Sequence, residues 1–445
     1  MKTQTVSDFL GSMELPANAG WGIHTARALN NFPIPGRTVP ASLIVALAQV
    51  KKACALTNRE LGLLDSKKAE AVVAACERIV EKPECPLSAL QGGAGTSTNL
   101  FINECIAGMA GNGIHPLEDV NLHQSTNDVY PTAVKIASIC GLRELAGRIE
   151  ALQGAFQRLE KRFAHVPTIG RTELVEAVPL TLGAVFGGFA EAFARDRWRT
   201  FKCEERLRVV NLGGTAVGTG LTAPRSYIFL VVDKLREVTG LGLARAENLV
   251  DQTANADAFV EVSAILKSCS ANLLKICGDL RLLHMNGEIS LSAVQAGSSI
   301  MPGKVNPVIL ESVMQIAITV QANDFIVTEC ASRGSLQINE FLPLLASALL
   351  ESVELLGAAC SMLANHAEGI EADEAACANR FNSSVEIITA FLPVLGYDEA
   401  TRLVQVFRSD TNRNDFRAFL IERLGLEMVE QTLSPQNLMA LGYRS

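Results

Sequence analysis

Residues 256 to 283 place Phe259, Val262, Leu266, Leu273, Ile276 and Leu280 at spacings of three, four and seven, the stripe of a helix packed inside a bundle. Long segments of this period dominate the chain, while period-two alternation bounded by hairpin turn signals is scarce, so the predicted fold class is all-α. Ser42 is expected to cap a helix carrying Leu43, Leu47, Val50 and Cys54 before Gly62, and Asp65 to cap the next one before Pro83. A further long helix is expected near Asp128, where Pro131 suits a first turn and no Pro follows until Pro167. No internal repeat or low-complexity linker interrupts the pattern.

Composition limits what such helices serve. The 39 basic and 47 acidic side chains leave a net charge of −8, which argues against a nucleic-acid binder. At roughly 150 residues per domain, 445 residues suggest about three domains. Apolar residues at 48% together with 34 Gly exceed the share usual in soluble chains, and charged residues at 19% fall short of the usual ~25%, so apolar surface is expected to meet another subunit. The start, MKTQTVSDFL, has neither an apolar h-region nor a small-residue cleavage site, which predicts a cytoplasmic protein with no membrane partner. The most apolar stretch, 342 to 364, carries Glu351 and Glu354 and reads as a buried bundle helix rather than a bilayer span. The 11 Cys are odd in number, scattered and without a C-x-x-C pair, as expected of reduced core thiols.

Four polar segments break the helical pattern. GGAGTSTNLFINE at 92 to 104 is a glycine run without the Lys and preceding strand of a phosphate loop. HPLEDVNLHQSTNDVYPTA at 115 to 133 presents Ser125, Thr126 and Asn127 at a helix start, where hydroxyls and backbone N–H groups either cradle a carboxylate or simply cap the helix. GRTELVEAVPLTLG at 170 to 183 sets Thr172 and Glu173 beside Arg171, a trio that also suits a solvated turn. QAGSSIMPGKVNPVILE at 295 to 311 combines hinge-capable Gly297 and Gly303 with Ser298, Ser299, Lys304 and Asn306, as in a mobile active-site loop or an ordinary exposed one.

Taken together, GSSIMPGKVNP at 297 to 307, GTSTN at 95 to 99, QSTND at 124 to 128, GRT at 170 to 172 and GGTAVGTGL at 213 to 221 resemble the aspartase and class II fumarase family over nearly the whole chain. GIHTARALNNF at 22 to 32 and the Val308 that follows VNP look more like the aspartase branch. The resemblance implies three helical domains, placed at 1–127, 128–380 and 381–445, the middle one forming a twenty-helix core in a homotetramer with active sites built from three subunits. It also implies an ammonia-lyase that takes a proton from the carbon beside a carboxylate of L-aspartate or a related amino dicarboxylate and expels ammonia, with no redox cofactor required; in the sequence itself no His/Asp/Glu cluster has metal-ligand spacing.

By the same resemblance, Thr96, Ser125, Thr126 and Ser299 hold the carboxylate that becomes the aci-form, Thr172, Lys304 and Asn306 hold the other, and Asn127 faces the leaving amine. Ser298 matches the family's base. A serine needs local help to lose its proton, and a closing loop that excludes water and surrounds the alkoxide with backbone N–H groups is expected to supply it.

Departures from the family sharpen the question of substrate. Glu173 stands where relatives usually have His or Gln, and in fumarase-like relatives that His pairs with a carboxylate matching Glu311. An anionic Glu173 would repel a substrate carboxylate, so it is expected to contact the substrate's ammonium or a larger cationic group. Leu122 and His123 stand where relatives usually have Lys and a small residue, with His123 read as packed or solvated rather than catalytic. The segment HMNGEISLSAV at 284 to 294 is short and lacks an S-G-P-R element, which predicts altered loop closure or subunit contacts. His24 and Arg27 serve either structural placement or substrate contact. A fumarase-like hydratase and a catalytically silent paralogue stand as alternatives to the ammonia-lyase.

Overall fold

The computed structural model describes residues 3–111 and 113–442. The chain divides into two compact units: Met1–Ala146, Trp198–Ser270 and Ile318–Leu356 form the first, and Gly147–Arg197, Ala271–Ala317 and Gly357–Ser445 the second. Helices dominate, the longest being Thr126–Arg162, Asp257–Met285, Leu342–Ala367 and Val308–Ser332. Among the described residues, every sheet is two-stranded, and isolated β-bridges join Thr38 to Ser88 and Ser335 to Ile338. The all-α expectation holds. In Asp257–Met285 the six residues of the apolar stripe, from Phe259 to Leu280, are all buried.

In the first unit, the helix Ala41–Glu60 packs against Ser66–Glu81 and Arg225–Thr239. Leu43, Leu47, Val50 and Cys54 are fully buried there. Asp65 caps the second helix as expected, accepting from the backbone N–H groups of Lys67 and Lys68. The Ser42 cap does not form. Pro40, with its φ fixed near the helical value, starts the helix two residues earlier, so Ser42 lies inside the first turn with a buried hydroxyl that has no partner among the described residues.

The long helix starts at Thr126 rather than at Asp128, which leaves Pro131 inside it at the sixth position instead of in the first turn. An N–H at that position would bond the carbonyl of Asn127. Asn211 Nδ2 donates to that carbonyl instead, at 2.9 Å, so the proline removes a donor without orphaning an acceptor.

In the second unit, Phe381, Phe391, Phe407, Phe416 and Phe419 anchor a buried cluster that also takes Ile169. The Phe407 and Phe416 rings lie edge to face, 4.8 Å apart, a favoured aromatic geometry. Ile169 belongs to the hairpin Pro167–Thr172 and Val175–Thr181, so the cluster fixes the base of the strand that carries GRT. The apolar helix Leu342–Ala367 is long enough to cross a membrane, but 72% of its most apolar window is buried inside the protein, as in the core helix of the sequence reading. Nine of the eleven cysteines are buried and all are free thiols.

Candidate active site

The first unit holds two of the four polar segments, 92–104 and 115–133, together with GGTAVGTGL. Gly95 begins the helix Thr96–Ala110 with φ +93, and a Cβ there would stand 2.4 Å from the Tyr130 ring. Only glycine meets both demands. Thr96, exposed in the first turn, donates its hydroxyl proton to the carbonyl of Gly93 at 2.7 Å.

Ser125, Thr126 and Asn127 open the long helix. The Asp128 carboxylate accepts from the backbone N–H groups of Ser125 (3.0 Å), Gly213 (3.1 Å) and Thr215 (2.9 Å), and so ties QSTND to GGTAVGTGL. Burial raises its pKa to about 6, against the lowering effect of those three donors. Asn127 Nδ2 donates to the carbonyl of Ala216 at 2.7 Å. Thr126 is buried, and its Oγ1 accepts from Asn99 Nδ2 at 3.1 Å.

Behind these residues lies a side chain that the motifs do not contain. Lys51 is fully buried and donates to Asn121 Oδ1 and Gln124 Oε1, each at 2.9 Å. Burial lowers its pKa to about 8. Its spacing from Leu47 and Cys54 sets a charged residue on the apolar face of its helix, which was the available signal.

His123 adopts φ +62. Its Nδ1 lies 2.8 Å from Asn58 Oδ1, and its ring packs 5.3 Å from that of Tyr227, a packed histidine whose pKa burial lowers. Leu122 supplies a carbonyl to Asn58 Nδ2. Arg27 pairs with Asp8 at 2.6 Å, and the backbone N–H of His24 donates to Glu104.

The second unit holds the remaining candidates. Thr172 ends its strand and Glu173 and Leu174 make the turn, with φ of +55 and +65. Two positive values suit a type I′ turn, where Asn-Gly is preferred, so two bulky residues here hold a strained backbone. Thr172 and Glu173 are exposed, and Glu173 lines a cavity of about 910 Å³ with Arg171, Arg195 and Lys275. Below the turn, Arg171 forms an ion pair with Glu288 at 2.9 Å, and Thr168 donates to the same carboxylate at 2.6 Å. Glu288 is completely buried. The short segment 284 to 294 therefore holds the GRT strand.

The signature loop folds on itself. Gly297 N–H donates to the carbonyl of Lys304 at 2.7 Å, and Asn306 Nδ2 donates to the carbonyl of Gly297 at 2.8 Å. Within this closed loop, Ser298 Oγ accepts from the backbone N–H groups of Ile300 at 3.2 Å and Met301 at 2.9 Å. Ser298, Lys304, Met301 and Pro302 line a hollow of about 490 Å³, while Ser299 is exposed on the same loop. Two peptide dipoles aimed at one hydroxyl oxygen favour its ionised form.

A family model described as lyase matches residues 11–322. The aspartate ammonia-lyase of Pseudomonas canavaninivorans is 42% identical, over 98% of this chain and 97% of its own. A fumarate lyase:delta crystallin from Brucella melitensis, solved bound to cobalt, is 39% identical with a TM-score of 0.93, covering 99% of this chain and 100% of its own. A class II fumarase from Schistosoma mansoni is 28% identical with a TM-score of 0.91, over 98% of each chain. Matches of this extent place every polar segment above inside one shared framework, and the chain belongs to the lyase family that includes aspartases and class II fumarases.

Proposed function

We propose that the protein is an ammonia-lyase that removes ammonia from L-aspartate or a closely related amino dicarboxylate to give a fumarate-like alkene. The hydrogen beside a carboxylate is weakly acidic, and its removal puts the electron pair of the broken C–H bond onto that carboxylate as an aci-form. Collapse of this form makes the carbon–carbon double bond and breaks the bond to nitrogen, which leaves as ammonia. Donors in place before the charge develops lower this barrier most. In this reading Thr96, Ser125, Thr126 and Ser299 hold the aci-form, Thr172, Lys304 and Asn306 hold the second carboxylate, and Asn127 meets the leaving amine.

Ser298 takes the proton. The observation that carries the reading is the pair of N–H groups, from Ile300 and Met301, on Ser298 Oγ, because an alkoxide at neutral pH requires donors that cost no reorganisation. Glu173, exposed at the tip of a strained turn, receives the substrate's ammonium or a larger cationic substituent.

The active enzyme is a cytoplasmic homotetramer with composite sites. Support comes from large apolar side chains left exposed in the single chain, among them Leu174, Trp198, Phe201 and Phe325. The three-domain division at 1–127, 128–380 and 381–445 belongs to the same proposal, supported by the buried aromatic cluster that gathers most of its members after residue 380.

Ultraviolet absorbance from alkene formation, paired with an ammonia assay, tests the activity. L-Aspartate is expected to yield both signals. Alkene from malate with no ammonia from any amine would replace this reading with a hydratase. Across a panel of amino dicarboxylates, Glu173→Gln is expected to change the order of preference, and an unchanged order removes Glu173 from substrate recognition.

A further inference from the structure

Lys51 has a donor-only ammonium among amides that backbone carbonyls also orient: Gln124 Nε2 donates to the carbonyls of Val120 at 3.0 Å and Leu122 at 3.3 Å. Asn121 Oδ1 and Gln124 Oε1 both face it at 2.9 Å, so both amides turn their oxygens toward the lysine. Asn121 Nδ2 is then turned to the carbonyl of Gln124 at 3.1 Å. The same Asn121 oxygen accepts from Asn99 Nδ2 and Asn103 Nδ2, each at 3.2 Å. Asn99 thereby presents its amide nitrogen, not its oxygen, to Thr126 Oγ1 at 3.1 Å. An oxygen that accepts there has its own proton free for another acceptor.

The arrangement carries a cost. Asn99 Oδ1 and Asn103 Oδ1 are buried without a partner among the described residues, and an unpaired buried oxygen is destabilising. Lys51, together with the Gln124 carbonyl that takes Asn121 Nδ2, holds the Asn121 oxygen toward Asn99.

We infer that Lys51 is a positioning residue for substrate binding: through Asn121 and Asn99 it fixes the Thr126 hydroxyl as a donor to the substrate carboxylate. This rests on the function proposed above, in which Thr126 holds the aci-form. The groups that face the ammonium are Cys54 on its own helix, Cys76 on Ser66–Glu81 and Asp128 at the start of the long helix, with Tyr227 on Arg225–Thr239 beside Cys54 and Asp128. Burial leaves Lys51 charged below about pH 8.

Steady-state kinetics on Lys51→Met, Lys51→Arg, Asn99→Leu and Asn103→Leu, all in the full-length enzyme, tests the relay. Loss of a donor to the carboxylate that becomes the aci-form is expected to raise KM for L-aspartate by about tenfold in Lys51→Met and in Asn99→Leu and to lower kcat as well, because the charge on that carboxylate grows in the transition state. Lys51→Arg keeps a donor-only cation and is expected to restore KM most of the way. Asn103 uses the same oxygen of Asn121 but does not touch Thr126, so Asn103→Leu is expected to leave KM unchanged. A residue needed only for folding lowers the active fraction and leaves KM alone, so wild-type KM in the soluble Lys51→Met enzyme overturns the inference. Should that variant not fold, Asn99→Leu against Asn103→Leu decides the point in the same way. If wild type proves inactive on L-aspartate, the proposed reaction fails separately, and calorimetric titration with succinate then reads the relay. Tighter binding to wild type than to Asn99→Leu supports it, and equal binding sinks it.

Discussion

Gly297 has no room for a side chain. A Cβ there would stand 2.9 Å from the Asn306 backbone nitrogen and from the Lys304 carbonyl oxygen, neither of which is a flexible tip. Gly297→Ala is expected to lower kcat/KM by at least about a hundredfold while moving the melting temperature little, because the loop is largely exposed. Normal turnover in that variant would show that the closed loop is dispensable. Titration adds a second residue-scale expectation. Burial pulls the Lys51 and Lys135 ammonium groups down to about 8, so between there and ~10.5 the unfolded chain holds protons that the folded chain has lost, and their effect on stability rises with pH. Seven thiols act oppositely, six pushed up to about 12 and one to about 11. Their stabilisation is complete below the ordinary thiol range near ~8.5–9 and lost as pH rises toward the folded values. Seven outweigh two, so urea midpoints under reducing conditions are expected to fall steadily above pH ~9; a flat profile would contradict the buried thiols. At this scale the sequence showed the hydroxyls and amides of the loops. It did not show what aims them, because the Asp128 carboxylate and the Lys51 ammonium act through contacts with Gly213, Thr215, Asn121 and Gln124 that only the fold creates.

Helices were legible where apolar period and cap agreed, as at Asp65 and along Asp257–Met285. They were misread where a proline competed: Pro40 starts its helix ahead of Ser42, and Pro131 lies inside its helix because Asn211 serves the carbonyl it leaves open. The short segment 284 to 294 signalled a change in loop or subunit contacts, and its clearest role in the chain is internal. Glu288 joins it to the GRT strand through Thr168 and Arg171. Removing one member of a buried ion pair leaves the other uncompensated. Glu288→Ala is expected to destabilise the protein by about 3–5 kcal/mol in urea unfolding and to weaken substrate binding, since Thr172 and Glu173 follow Arg171 directly. A loss under about 1 kcal/mol would show that the hairpin is held by Ile169 and the aromatic cluster alone.

At the scale of the whole molecule, a composition rich in apolar residues meets a single chain with Phe325 and Leu174 well exposed. Sedimentation at micromolar concentration is expected to give a species of four chains of 47.6 kDa, about 190 kDa. A fully active monomer would remove the composite site from the account. The central claim is narrower: a serine oxygen held by two peptide N–H groups takes the proton that starts elimination. The rate of alkene formation from L-aspartate by Ser298→Ala, compared with wild type at equal folded concentration, measures it directly. The expected result is a fall in kcat of roughly 10²–10⁴-fold with the oligomer intact. Turnover within a few-fold of wild type would contradict the claim.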